Sequence, residues 1–212
     1  LLYIALSRFS NRPRFSDLPP DLQADIRAFF TSYQAACELA DAMLYAAGDV
    51  KLVDQLCRKS KVGKVTPAAL YVHEAALSEL DPILRLYEGC ARSYIGSVEG
   101  SNLIKLHRGE PQVSYLSYPD FDSDPHPALQ VSLIVPLRSF RVDVRYYDEA
   151  KNPPILHRKE QFVSANYPQR EKFARLTAQE ERFGLYASPA TIGTRDGWLA
   201  VLRAKRGTMR GH

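Results

Sequence analysis

The chain has 212 residues, of which 45% are hydrophobic and 25% are charged, and its formal net charge is +4. This composition is that of an ordinary globular chain that can bury a core, and it excludes fibrous and low-complexity proteins. No stretch approaches the roughly 18 consecutive apolar residues of a membrane-spanning helix, so we expect no membrane partner. The three cysteines are too few and too scattered for a disulfide framework, and they predict reduced thiols in a cytoplasmic protein.

The first part of the chain carries helical patterns. It opens on Leu1–Leu6 without an initiator Met or a basic leader, which indicates a segment of a longer protein. Apolar residues repeat with a helical period over residues 22–44 and predict one long helix. Asp49 is expected to cap a second helix, and Asp81–Pro82 to start a third. We therefore assign residues 1–97 to a helical region.

From about residue 101 the hydrophobic pattern alternates as it does in strands. The predicted strands are 103–107, 113–118, 131–135, 140–146 and 155–163. In the fourth, Phe140, Val142, Val144 and Tyr146 are expected to face inward, with charged residues outward. A strand with one solvent-exposed face favours an antiparallel sheet. The prolines that precede the fifth strand would confine it to an edge.

Helical signals return after Pro168. Thr177–Glu180 is a capping-box pattern that predicts a helix start, and Thr194 precedes a final helix in which Trp198 is expected to anchor the core. The predicted fold is α+β, with an N-terminal helical region, a mostly antiparallel sheet of about five strands and C-terminal helices. We expect residues 98–212, the sheet with its C-terminal helices, to pack as one unit.

The glycine pattern argues against two nucleotide-dependent activities. Gly63, Gly89 and Gly100 are isolated, whereas a methyltransferase needs a glycine-rich turn between a strand and a helix of a parallel sheet. Gly63–Lys64 also lacks the glycine spacing and the Ser or Thr of a P-loop. We therefore expect no S-adenosylmethionine site in this chain and no methyltransferase activity of its own.

The segment 118–127 is the densest group of polar residues. Asp120, Asp122, Asp124 and His126 have the chemistry of a divalent-cation site. Asp120 and His126, together with His157 and Glu160, form a candidate catalytic set that would activate water for phosphodiester cleavage. The alternative is a proline-braced turn whose Asp side chains accept backbone N–H groups, and the absence of calcium-loop spacing favours it.

Basic residues concentrate toward the C-terminus, where residues 130–212 hold 15 Lys and Arg against 8 Asp and Glu. Such asymmetry is typical of a surface that binds a polyanion, although scattered solvated side chains give the same count. If 155–163 is a strand, His157 and Lys159 lie on one of its faces and Arg158 and Glu160 on the other. The candidate phosphate-binding residues are Lys64, Lys105, Arg108, His157, Arg158, Lys159 and Arg195.

Several blocks of the sequence resemble a family of bacterial DNA phosphorothioation-associated methyltransferases. These blocks are VGK at 62–64, ALYVH at 69–73, LYEGCA at 86–91, VSYL at 113–116, YPDF at 118–121, DPHPAL at 124–129, NPPILHRKE at 152–160, FARLT at 173–177, IGTR at 192–195 and RGH at 210–212. The resemblance implies a link to systems that replace a nonbridging DNA phosphate oxygen by sulfur, and to defence against foreign DNA. It supplies no catalytic residue for this region.

Three functions follow as expectations. The first is a DNA-engaging accessory domain that works beside a fused or separate methyltransferase domain, on DNA that is sulfur-modified or unmodified. The second is a metal-dependent nuclease or phosphodiesterase-like hydrolase. The third is a scaffold that docks only other proteins. The C-terminal charge and the resemblance together favour the first.

Overall fold

The computed structural model describes residues 1–139 and 141–210, with side chains to residue 205. Phe140, one of the residues expected to face inward, and Gly211 and His212, which belong to the resemblance, lie outside this range. The helices are α1 (Leu2–Leu6), α2 (Pro20–Phe29), α3 (Tyr33–Ala47), α4 (Val50–Lys59), α5 (Pro82–Ile95), α6 (Arg170–Arg182) and α7 (Arg195–Arg210). The strands are β1 (Lys64–Val65), β2 (Ala69–His73), β3 (Leu103–His107), β4 (Gln112–Ser117), β5 (Val131–Pro136) and β6 (Asp143–Tyr146).

The predicted α+β class is confirmed. Within the described ranges the strands form one six-stranded antiparallel sheet in the order β1-β2-β3-β4-β5-β6. Strands β1 and β2 come from the region assigned to helices, so the sheet joins both parts of the chain across residue 97. No helix in the described ranges has both the length and the apolar character needed to cross a bilayer.

Local capping signals determine where two helices begin. The Asp49 carboxylate accepts the N–H groups of Lys51 and Leu52 at the start of α4, and Asp81 accepts the N–H of Ile83 at the start of α5. Helix α5 ends at Gly96, whose φ of +78° is readily accessible to glycine. Both predicted helices are confirmed.

The prediction of a single long helix over residues 22–44 is wrong, because the helical conformation is interrupted between α2 and α3. Phe30 is extended, and Ser32 accepts the N–H of Ala35 and so caps a new helix. Thr31, which is β-branched, precedes that cap. The apolar period continues across the break because α2 and α3 both bury their apolar sides, so periodicity did not reveal it.

The sheet buries its two faces against different parts of the chain. Leu70, Ile104, Leu106 and Tyr115 lie on the face that packs against the N-terminal helices in the largest core. The opposite face is only partly covered, by the segment that follows β4 and by α6. There Leu103 and Leu116 join a smaller core that includes Phe121, Leu156, Phe162 and Phe173.

The prediction for β6 is corrected in its start and in its environment. The strand begins at Asp143, and Val142, Val144 and Tyr146 are 39%, 40% and 73% exposed instead of facing inward. The helical layer packs against the central strands, whereas β6 lies at the edge of the sheet, where its side chains stay exposed. Alternation therefore identified the strand but not what packs against it.

The predicted fifth strand is also wrong. Pro154 and Ile155 form only isolated bridges, to Thr194 and Ala128. Arg158 then adopts a left-handed conformation (φ 56°), and Lys159–Gln161 form a short 3-10 helix. The alternation of faces expected for His157 to Glu160 therefore does not occur.

Of the two C-terminal helices, α6 does not begin at its predicted capping signal. Helix α6 begins at Arg170, so Thr177 lies in its interior, where its hydroxyl donates to Glu160 across the fold (2.8 Å). Helix α7 follows Thr194 as predicted, and its residue Trp198 is buried, as expected of a core anchor. A Thr hydroxyl can cap a helix or form a hydrogen bond elsewhere in the fold, and the sequence pattern does not distinguish the two roles.

Candidate nucleic-acid interface

A cleft of about 490 Å³ lies between the β1–β2 edge of the sheet and the C-terminal segment. Two main-chain hydrogen bonds fix its walls, because the His73 N–H donates to the Phe162 carbonyl (2.7 Å) and the Ile155 N–H donates to the Gly193 carbonyl (3.1 Å). The lining residues are Lys64, Thr66, Tyr71, Tyr118, Ile155, Leu156, His157, Arg158, Phe162, Tyr186, Pro189, Ile192 and Gly193. The cleft is thus mainly apolar and aromatic, with cations among its walls.

Two cations of the cleft, and a third cation next to it, lie over aromatic rings. The Lys64 Nζ is 5.4 Å from the centre of the Phe162 ring, the Lys105 Nζ is 5.5 Å from that of Tyr71, and the Arg158 guanidinium carbon is 4.4 Å from that of Tyr186. Arg158 also pairs with Glu181 at 3.0 Å. Burial, reinforced by the charge of Arg158, lowers the pKa of Lys64. Such aromatic support orients a cation without neutralising it.

Lys64 and Lys105 have no carboxylate partner within 4 Å among the described residues. An ammonium group that is positioned but unpaired is available to an incoming anion. This distinguishes both side chains from Arg108, Arg158 and Lys159, which have polar partners within the fold.

A second, more polar depression of about 610 Å³ continues from the cleft over the sheet face that the N-terminal helices do not cover. Tyr71 and Tyr118 line both spaces. Alternate residues of β3 to β6 supply the polar lining, including Lys105, Ser114, Ser132 and Arg145. Burial, and then the charge of Lys105, lowers the pKa of His107 at this surface to about 4. We call this depression the polar groove.

Beneath the cleft, two histidines pack against Trp198. The His126 and His157 ring centres are 4.5 Å apart, and each is 4.6 Å from the Trp198 ring centre. The His157 Nε2 donates to the Ile192 carbonyl (2.7 Å), and the His126 Nε2 lies 2.7 Å from Glu180. Burial lowers the pKa of His157 to about 4, so this ring is neutral at pH 7.

Glu180 and Tyr186, which complete this cluster, were missed at the sequence level. Glu180 accepts from His126 and from the Tyr186 hydroxyl, and these hydrogen bonds lower its pKa against the opposing effect of burial. His126 and Glu180 are 54 positions apart in the chain. No local spacing signal reports a pair so distant, and only the helical position of Glu180 on the inner side of α6 would have suggested burial.

The structure does not bring the four candidate metal ligands together. Asp122 accepts the Tyr167 hydroxyl (2.8 Å), Asp124 accepts the His126 N–H (2.8 Å), and Asp120 is exposed beside Ser123. Within the described ranges, no group of three or more His, Cys, Asp or Glu side chains is arranged to hold a metal ion. These contacts match the alternative of a proline-braced turn.

The candidate catalytic set converges only in part. His126 and His157 meet under the cleft, whereas Glu160 accepts from Thr177 and Asp120 lies on the exposed turn. The histidine nearest the cleft already donates to a backbone carbonyl. The arrangement therefore lacks a carboxylate that faces both imidazoles from the cleft side.

The candidate phosphate-binding residues lie in different environments. Lys64, His157 and Arg158 line the cleft, and Lys105 lines the polar groove. Arg195 is exposed at the start of α7, outside both linings.

Arg108 and Lys159 are corrected, because both are buried and committed to the fold. The Arg108 guanidinium is 2.6 Å from Asp54 and also donates to the Thr66 carbonyl. The Lys159 ammonium donates to the carbonyls of Phe121 (2.6 Å) and Asp124 (2.5 Å), and its burial lowers its pKa to about 8. Arg108 holds the β1–β2 turn in place and Lys159 holds the proline-braced turn at 118–127, so neither side chain is free to contact DNA.

Comparisons with models of known protein families, with curated proteins and with solved structures found no match to this chain. The function is therefore argued from the geometry and charge of the cleft and the polar groove.

Proposed function

We propose that this chain is a DNA-engaging accessory domain of a bacterial DNA phosphorothioation-linked modification and defence protein, and that it acts in the cytoplasm. The observation that carries the proposal is one concave surface on which Lys64, Lys105 and Arg158 each lie over an aromatic ring. A fused or separate methyltransferase domain would supply the chemistry.

The surface combines the two groups that a nucleic-acid strand requires. Cations contact phosphates, and aromatic faces stack on bases that have left a duplex. Tyr71 is common to the cleft and the polar groove, so a bound strand can run from Lys105 past Tyr71 to Lys64. This order of cation, ring and cation favours a strand with unstacked bases over an intact duplex.

The apolar wall of the cleft is suited to a sulfur-substituted phosphate. Ile155 and Ile192 lie in the same lining as Lys64 and Arg158. A nonbridging sulfur is a weaker hydrogen-bond acceptor than the oxygen it replaces. Placing the sulfur against an apolar wall therefore costs less free energy than placing the oxygen there. We therefore include phosphorothioate DNA among the proposed ligands.

The test is fluorescence anisotropy with a labelled 20-nucleotide single strand and the matching duplex, each with and without phosphorothioate links. We expect the combined change Lys64→Ala, Lys105→Ala and Arg158→Ala to weaken single-strand binding roughly tenfold or more. The slope of log affinity against log salt should become shallower by about 2, since each lost phosphate contact removes about 0.7.

The matched control removes three exposed cations from α2 and α4, by Arg27→Ala, Lys51→Ala and Lys59→Ala. These changes subtract the same formal charge at residues that line neither the cleft nor the polar groove. Equal losses in both triple variants would mean that only net charge matters and would contradict the assigned surface. No binding by the unaltered chain at low salt would overturn DNA engagement and leave the protein-docking alternative.

A further inference from the structure

Strand β6 is an unpartnered edge of the sheet in the described part of the chain. It pairs with β5 on one side, and residues 141–146 are all exposed. An exposed edge presents backbone N–H and C=O groups to any strand that can align with it.

The hydrogen-bond alternation identifies which backbone groups are free. The Tyr147 N–H donates to the Gln130 carbonyl (2.8 Å), in the same register that pairs Arg145 with Ser132. Because such bonds alternate along an antiparallel pair, Asp143 and Arg145 direct their backbone groups toward β5. Val144 and Tyr146 therefore direct theirs away from the sheet.

The side chains of β6 also divide by face. Asp143 and Arg145 lie on the polar-groove face, where their side chains form an exposed ion pair at 2.9 Å. Val144 and Tyr146 lie on the other face, opposite Leu133 and Val131 of β5. The edge thus offers a polar side with one charge of each sign and an apolar side.

We propose that a second copy of this chain adds to β6 in antiparallel orientation, with the two-fold axis at Val144. In that register Asp143 faces the partner's Arg145, and Arg145 faces the partner's Asp143. Val144 faces its own counterpart through outward backbone groups, and the charged residues occupy the non-hydrogen-bonded positions, where opposing side chains are closest.

The charge order selects this partner and this orientation. A parallel arrangement in register would place like charges side by side. The antiparallel one places each Asp143 opposite the partner's Arg145, so that the ion pair within each strand becomes part of a network of four alternating charges. The interface is isologous, as closed two-fold dimers require. It would also place the two polar grooves on the same face of one continuous sheet.

The test is sedimentation equilibrium of the unaltered chain and of charge variants, without DNA, between 1 and 100 µM protein. Arg145→Asp places two carboxylates on each edge, and we expect it to raise the dimer dissociation constant roughly tenfold or more. The exchange Asp143→Arg with Arg145→Asp keeps both ion pairs and should restore dimerisation.

Val144→Pro is a second probe, since its N–H faces away from β5 and its loss spares the existing ladder. We expect it to abolish dimerisation while the far-UV circular dichroism stays unchanged. An unaltered chain that is monomeric at 100 µM, or a dimer that Arg145→Asp leaves intact, would overturn the proposal. These outcomes are independent of DNA binding, so this inference and the proposed function can fail separately.

Discussion

The two faces of the sheet differ although the same strands form both. On β3, Leu106 is fully buried against the N-terminal helices, while its neighbour Lys105 lines the polar groove. Alternation along a strand gives adjacent residues opposite environments. Stability and ligand contact therefore depend on alternate positions of one strand, and single substitutions should separate them.

The largest effect is expected on the helical face. Leu106→Ala should lower the free energy of unfolding by about 3 kcal/mol, because it removes buried methyl groups and leaves a cavity. Lys105→Ala, one residue away, should change it by less than about 0.5 kcal/mol and weaken DNA binding instead. Urea unfolding and anisotropy on both variants measure this. If the two substitutions lowered the free energy of unfolding equally, the two faces of β3 would not have different roles.

A second pair of variants compares a cation that stabilises the fold with a cation that has no carboxylate partner. Lys159→Met should cost about 2 kcal/mol, since the carbonyls of Phe121 and Asp124 lose a buried charged donor. Lys64→Met should cost much less and reduce DNA binding. Equal stability of the two variants in urea would show that the burial of Lys159 has no energetic role.

An effect of similar size depends on pH and comes from His157. Its folded-state pKa of about 4 lies below the unfolded value near 6.5, so the unfolded chain takes up a proton first. The stabilisation is complete above pH 6.5 and is lost as the pH falls toward 4. Between pH 7 and 5 the free energy of unfolding of the unaltered chain should fall by about 2 kcal/mol more than that of the His157→Gln variant.

The His157→Gln variant is the necessary reference, because His107 also has a lowered pKa. His107 therefore reduces the free energy of unfolding of both the unaltered chain and the variant as the pH falls. Unfolding curves at several pH values between 7 and 5 provide the measurement. If both proteins lost stability in parallel, His157 would not be held neutral by its burial.

The parts of the fold that sequence predicted are those with local causes. Asp49 and Asp81 cap helices through atoms two or three residues away, and the β3–β4 hairpin follows from alternation and a short turn. The helix break at Ser32 is also local, but a continuing apolar period concealed it.

The candidate site was predicted by residue type and not by environment. Lys64, Lys105 and Arg158 lie at the cleft or the polar groove, whereas Arg108 and Lys159 are buried. A sequence gives all five the same charge. What separates them is a set of tertiary partners, such as Asp54 at 54 positions from Arg108, and no pattern within a strand or helix encodes those partners.

Arg158 holds its guanidinium at the cleft from a backbone conformation that L residues seldom adopt. Glycine at this position would relax the backbone by up to about 1 kcal/mol and would remove the cation over Tyr186. The glycine would also remove the ion pair with Glu181, so stability alone selects only weakly for or against this arginine, whereas selection for an anionic ligand would retain it. The residue found at this position in variants of the chain thus reports which of these two pressures acts on the cleft.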